Sequence, residues 1–96
     1  MSRYLTLYDV NGNKKFQTLA SSGTAARSTQ ITARRITIIT GVYHHYVAFG
    51  TSSVTAVVTD AVLPAYSTLD FNFTPGQYVS VLSGSAASSV TIIDAD

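Results

Sequence analysis

The sequence contains no cysteine, no tryptophan and no glutamate, and only 11% of its 96 residues are charged. Without cysteine there can be no disulfide, no iron–sulfur cluster and no thiolate zinc site. The charged fraction lies well below the roughly 25% that is usual for soluble domains. Serine and threonine must therefore supply most of the polar groups on the surface, and a surface with so little charge is poorly protected against association. The composition indicates a chain that associates with neighbours.

The charge balance and the lengths of the apolar runs also indicate which partners to exclude. Six Lys and Arg residues against five Asp residues give a formal net charge of +1. No basic stripe is present, so phosphate neutralisation cannot drive nucleic-acid binding. No apolar run approaches the ~20 residues that span a bilayer, and the first residues lack the apolar core of a signal peptide. We expect no nucleic acid and no membrane as partner, and a protein that is made in a cytoplasm.

The length predicts a single domain over residues 1–96. A domain of this size buries only about 60% of the surface that its unfolded chain exposes. Small domains compensate with disulfides, metals or oligomerisation. Because cysteine is absent and no metal motif occurs, we expect a homo-oligomer.

Short β-like runs separated by glycine, proline and serine cover the chain, whereas helical periodicity is absent. Their spacing of roughly 8–12 residues is typical of a sandwich or barrel. We predict an all-β fold, a small antiparallel β-sandwich that is jelly-roll-like, with eight or nine short strands. The predicted strands are Tyr4–Tyr8, Lys14–Ala20, Ala26–Ala33, Arg35–Thr40, Tyr43–Phe49, Val54–Thr59, Ser67–Phe73, Tyr78–Leu82 and Ser89–Ile93.

Two dipeptides predict the turns most specifically. Asn11-Gly12, between two β-like runs, predicts a hairpin, and Pro75-Gly76 predicts a type II turn followed by a closing pair of strands. The more polar segment 1–33 is interpreted either as an edge hairpin of the sandwich or as an N-terminal arm that packs on a neighbour.

The titratable residues do not form a catalytic or metal-binding pattern. His44 and His45 are adjacent, so on a strand they point to opposite faces and cannot chelate one ion. We expect one of them to point inward or to lie at an interface and the other to face solvent. The exception is a symmetric oligomer, in which the same histidine of each copy could meet on the axis. Asp9 and Asp60 stand beside turn residues and are interpreted as backbone caps.

No nucleophile elbow and no glycine-rich phosphate loop occurs in the sequence. We therefore predict no catalytic residue, no metal site and no cofactor, and a protein that is not an enzyme.

Candidate interface residues come from the basic pair and from the aromatic and apolar runs. Arg34 and Arg35 are either a solvated strand face or a contact with carboxylates of a partner. Tyr66 and Tyr78, beside turns, could anchor a partner or a sugar. The full set that we assign to an interface, with the apolar members serving core or oligomer packing, is Arg34, Arg35, Tyr43, Tyr46, Leu69, Phe71 and Phe73.

From residue 34 to residue 94 the sequence resembles small virion proteins of tailed bacteriophages. The likeness rests on the strand YVAFG, the turn LPA, the hairpin PGQYVSV and the terminal strand beginning VT, in the order RRITIITG…YVAFGTSS…AVLPAYSTLDFNFTPGQYVSVLSGSAASSVTIID. Residues 1–33 do not share it.

The resemblance implies a compact sandwich or jelly roll that often forms trimers and has no catalytic residues. It implies a capsid cement or decoration protein, located in the phage head and assembled in the bacterial cytoplasm, with the major capsid protein as partner. A fibre or tail module that binds carbohydrate or a receptor, and a head–tail adaptor subunit, are the alternatives.

Overall fold

The computed structural model describes residues 5–95, which form two four-stranded antiparallel sheets. No helix in this range is long and apolar enough to cross a membrane. In chain order the strands are β1 (Phe16–Ser21), β2 (Ala26–Arg27), β3 (Arg35–Ile39), β4 (His45–Gly50), β5 (Ala61–Leu63), β6 (Thr68–Asn72), β7 (Tyr78–Ser83) and β8 (Ser88–Asp94). The all-β prediction is confirmed.

The order of the strands is that of a jelly roll. One sheet, here called sheet I, has the order β1-β8-β3-β6, and the other, sheet II, has the order β2-β7-β4-β5. The chain crosses between the sheets at every connection except β4 to β5. This interleaving is the double Greek key of the eight-stranded jelly roll. The expected closing pair of β7 and β8 is wrong, because these strands lie in different sheets.

Alternation along the strands builds the core between the sheets. Ile36 and Ile38 of β3 lie beside Ile92 of β8, and none of the three is exposed. Val79 and Val81 of β7 cover them from sheet II and are equally buried. β-branched side chains suit this position because they pack well on a pleated surface. β-branched aliphatic residues therefore form the centre of the interior.

The predicted N-terminal hairpin is present, but its second arm leads into the sandwich. The N–H of Gly12 donates to the carbonyl of Asp9 at 3.0 Å, and Gly12 has φ +81°. The carboxylate of Asp9 accepts the N–H groups of Asn11 and Asn13 at 2.8 and 2.9 Å, so its assignment as a cap is confirmed.

Of the predicted strand Tyr4–Tyr8, Tyr4 lies outside the described residues. Over residues 5–8 the prediction is wrong, because the structure has only an isolated bridge there, from Tyr8 to Lys14.

Within segment 1–33, residues 16–33 contribute to the sandwich itself. Strand β1 pairs with β8 over its whole length, and Leu19, Ile31 and Ala33 are buried in the core.

The predicted strand Ala26–Ala33 is wrong beyond its first two residues. The hydroxyl of Ser28 accepts the N–H of Val79 at 2.9 Å, and the N–H of Thr29 donates to the side-chain oxygen of Gln17. Side-chain oxygens that bind backbone donors compete with ladder pairing. Strand β2 consequently ends at Arg27.

The predicted strand Val54–Thr59 is also wrong, because this segment is a loop. Asp60 accepts the N–H of Val57 through its carboxylate at 2.8 Å and donates its own N–H back to the carbonyl of Val57. These bonds close a turn, so Asp60 is confirmed as a capping residue. The strand in this region is instead the shorter β5, which ends just before Pro64.

Candidate functional site

Residues 5–95 offer few ionisable side chains from which a site could be built. This range contains no group of three or more His, Cys, Asp or Glu side chains that could hold a metal ion. A hollow of about 360 Å³ opens where β1 ends and β8 begins. Its lining carries no ionisable side chain and consists of Ala20, Ser21, Ser22, Ala87, Ser88 and Ser89. The features left to consider are the two histidines and the outer surfaces of the two sheets.

His45 points into the sandwich, as expected for one member of the pair. It lies between Leu63 of β5 and Ser83 of β7 and is fully buried. Nδ1 donates to the carbonyl of Tyr43 at 3.1 Å, whereas Nε2 is buried without a hydrogen-bond partner. Burial lowers the pKa of His45 below its ordinary value of 6.5, and nearby His44 adds to this effect, although the bond to Tyr43 opposes it. His45 is therefore held as a neutral core residue.

His44 lies on the outer side of sheet II, where it is half-buried. Its ring meets the ring of Tyr46 edge to face, with centroids 5.5 Å apart. The backbone at Gly84 approaches the imidazole so closely that a Cβ there would overlap it, and the N–H of Gly84 donates to the carbonyl of His44 at 2.9 Å. Gly84 is thus the residue type that this arrangement requires.

The apolar interface candidates of β6 pack within their own chain. Phe73 is buried, and Leu69 and Phe71 are half-buried against the core. Phe49 of β4 meets Phe71 and Phe73 edge to face at 5.6 and 5.1 Å. This aromatic cluster joins the two sheets near their β6 and β4 strands. Of the two roles expected for these residues, the structure provides core packing.

The basic pair Arg34-Arg35 is exposed on the sheet I side of the molecule. Arg35 lies opposite Asn72 in the register of β3 and β6. Two residues along β3, on the same outer face, the hydroxyl of Thr37 donates to the carboxylate of Asp70 at 2.6 Å. The outer face of β3 and β6 therefore carries an exposed arginine and a hydroxyl–carboxylate pair whose hydroxyl, on Thr37, is buried.

The candidate tyrosines are spread over distant parts of the molecule. Tyr66 is 78% exposed in the β5–β6 loop, where its N–H donates to the carbonyl of Gly41 at 2.8 Å. Tyr78 is half-buried and lies beside Gly50, at the opposite end of β4 from His45. Tyr66 and Tyr78 therefore cannot belong to one small binding site.

Sheet II carries an apolar outer surface that we did not predict from the sequence. Tyr46 of β4 has Val62 of β5 on one side and Leu82 of β7 on the other, and these three form one row across the sheet. Val57 and Val58 of the β4–β5 loop are exposed, as is Val62. We call Tyr46, Val57, Val58, Val62 and Leu82 the apolar face. The run VTAVVTDAVL contains the signal, but the pattern predicts a strand over Val54–Thr59 and no element at Val62.

The β4–β5 loop is fastened across the neighbouring part of sheet II. The hydroxyl of Ser80, 1% exposed on the outer side of β7, accepts the N–H of buried Ala56 at 2.9 Å. Arg27 of β2 donates through Nε to the carbonyl of Val54 at 2.7 Å and through Nη2 to the hydroxyl of Thr55 at 3.3 Å. These bonds attach residues 54–56 of the loop to β2 and β7, and they thereby fix the positions of Val57 and Val58.

Comparisons with known proteins identify no relative. No protein-family model, no curated protein and no solved structure matches the chain.

Proposed function

We propose that this protein is a non-enzymatic structural subunit of a tailed-phage virion, a capsid cement or decoration protein of the phage head. It acts as a homo-oligomer, expected to be a trimer, with the major capsid protein as partner. The observation that supports this role best is a small jelly roll with an exposed basic pair on the sheet I side and exposed apolar side chains on the outer side of sheet II. Fold alone does not select a function. The virion setting comes from the resemblance over residues 34–94.

A cement subunit needs one surface for its own copies and another for the lattice. The sheet I side, with exposed Arg34 and Arg35, supplies groups that pair with carboxylates of a partner. A subunit that binds only the assembled lattice stabilises that state by mass action, by about 2.7 kcal/mol per site when its free concentration is a hundred times Kd. No chemical step is required for this role.

The experiment is sedimentation of the purified chain with expanded and unexpanded phage heads, followed by heating of the decorated particles. The proposal predicts saturable binding to expanded heads and a higher temperature of head disruption. Arg34→Glu should weaken the binding. Ser52→Glu, which adds a negative charge at an exposed position of the β4–β5 loop on the sheet II side, is the control. Absence of binding to any head form would refute the proposal.

A fibre or tail module that binds carbohydrate or a receptor is the second candidate, and one observation favours it. Tyr66 has φ +52°, a left-handed conformation that is unusual for a bulky residue, and its ring is largely exposed. Strained backbone of this kind costs of order 1–3 kcal/mol and clusters at binding sites. Glycan-array binding that is lost in Tyr66→Ala and kept in Tyr78→Ala would support this candidate, and a blank array would count against it.

A head–tail adaptor would share the same fold, so only its position in the virion distinguishes it from cement. A cryo-EM map of the source particle, with the copy number read from it, separates the two.

A further inference from the structure

Within residues 5–95, His45 carries the one buried side-chain nitrogen or oxygen that has no hydrogen-bond partner. Its Nδ1 donates its proton to the carbonyl of Tyr43, so Nε2 of the neutral ring is an acceptor without a donor. Protonation would place an N–H group at Nε2, inside the sandwich and without an acceptor. A protonated His45 is therefore stable only in a state in which Nε2 reaches water.

Among the described residues, no carboxylate compensates a positive charge on His45. On β4, neighbouring His44 lowers the pKa of His45 further. Asp60 comes before the first residue of β5, whereas His45 pairs with the last, and on β7 the one ionisable residue is Tyr78, at the opposite end of the strand. Strand β1, which binds β7 beside His45, has none. The ionisable residues of the other sheet I strands lie at the far end of that sheet or on its outer face, and they are Arg35, Asp70 and Asp94.

Strand β5 is the least firmly held of the strands beside His45. It has three residues, is the terminal strand of sheet II and pairs only with β4, with Leu63 opposite His45. On the other side of β4, strand β7 pairs with β4 over six residues and with β2 as well. Short edge elements with few partners are the parts of a protein that open most easily. The least costly way to expose His45 to water is therefore the release of β5 from β4.

Two hydrogen bonds set the limits of such an opening. Before β5, the N–H of Ala56 donates to the hydroxyl of Ser80 on β7 at 2.9 Å. After β5, the hydroxyl of Thr40 donates to the carbonyl of Pro64 at 2.6 Å. Neither bond involves β4, so residues 57–63 can leave β4 while the segments on both sides stay attached to the sandwich.

From these observations we infer that His45 is a pH-sensitive switch: its protonation releases residues 57–63 from β4 while the rest of the sandwich stays folded. In the closed state burial holds the pKa of His45 below 6.5, and in the open state the ring is in water and titrates near its ordinary value. The closed state is therefore favoured fully above pH 6.5 and loses this advantage as the pH falls. The ratio of open to closed molecules then rises, by at most about tenfold per pH unit. Because Val58 and Val62 belong to the released segment, acid changes the outer surface of sheet II. The inference does not depend on the proposed function.

The test is amide hydrogen exchange of the free chain, followed residue by residue by NMR between pH 7.5 and pH 5.5. Rates are expressed as protection factors, which remove the intrinsic pH dependence of exchange. The protection of the β5 amides that bond to β4 should be constant above pH 6.5 and fall severalfold by pH 5.5, with about tenfold as the limit. The amides of β3 and β8 should keep theirs. His45→Leu should abolish the pH dependence at β5. His44→Gln is the matched control, because His44 is half-buried on the outer side of sheet II, and it should leave the dependence in place.

Three results would overturn the switch. One is protection at β5 that does not change with pH, and another is a parallel loss of protection at β5, β3 and β8, which indicates global unfolding. The third is a pH dependence at β5 that persists in His45→Leu. A second measurement on the wild-type chain needs no variant: the imidazole resonance of His45 and the amide resonances of β5 should titrate together below pH 6.5. Separate midpoints for the two would also overturn the inference.

Discussion

Acidification should destabilise this protein through His45. The side chain is fully buried, and its Nε2 has no hydrogen-bond partner. Protonation would create a buried positive charge with an unpaired N–H donor, which is costly. The folded chain therefore takes up the proton at a lower pH than the unfolded chain, whose histidine titrates near 6.5. Below pH 6.5 the unfolded state binds more protons, so the free energy of unfolding falls as the pH falls.

The magnitude follows from the single proton involved. Between pH 6.5 and the lowered pKa of folded His45, the slope has an upper limit of about 1.4 kcal/mol per pH unit, which is the value for one whole proton. Above pH 6.5 this contribution to the slope vanishes, because His45 is neutral in both states. A loss of this size matters in a small domain, whose whole stability is of order 5–15 kcal/mol.

The assay is urea unfolding from pH 5 to pH 8, followed by circular dichroism, with His45→Leu as the paired variant. Leucine is similar in size and has no proton to gain, so the variant should lose the slope that His45 contributes. At pH 8 its stability should lie within about 1 kcal/mol of the wild type, since it loses the bond to Tyr43 but also the unpaired buried nitrogen. Equal slopes for the two proteins between pH 5 and pH 6.5 would refute the reasoning.

Three further substitutions test the fold itself. Ile38→Ala should cost about 2–5 kcal/mol in the free energy of unfolding by urea, because Ile38 is completely buried between the sheets. Ser80→Ala should cost about 1–3 kcal/mol and accelerate amide hydrogen exchange at Ala56, whose buried N–H loses its acceptor; unchanged exchange there would contradict the fastening of the loop. Gly76→Ala should lower the melting temperature, because Gly76 has φ +93°, whereas Gly23→Ala, with no positive φ and no atom near its Cβ, should not.

Local signals in the sequence determined the fold class and several turns. Alternation at Leu69 and Phe71 predicts a half-buried strand, and β6 shows this pattern. Pro75-Gly76 predicts a type II turn, and the structure shows positive φ at Gly76 with a bond from the N–H of Gln77 to the carbonyl of Thr74 at 3.3 Å. These features depend on neighbours in the chain, so their residue types suffice to predict them.

Tertiary structure decided which segments became strands, how the strands paired and where the candidate surface lies. The sequence predicts a strand that includes Val57 and Val58, but this segment folds as a loop. The cause is that Ser80 of β7 and Asp60 accept hydrogen bonds from its backbone N–H groups. The pairing of β5 with β4 places Val62 beside Tyr46, a contact that neither segment encodes alone. The sequence by itself determined that this chain is a weakly charged β-sandwich. The apolar face exists only in the folded state, because its residues come from three strands and a loop that only the folded sheets bring together.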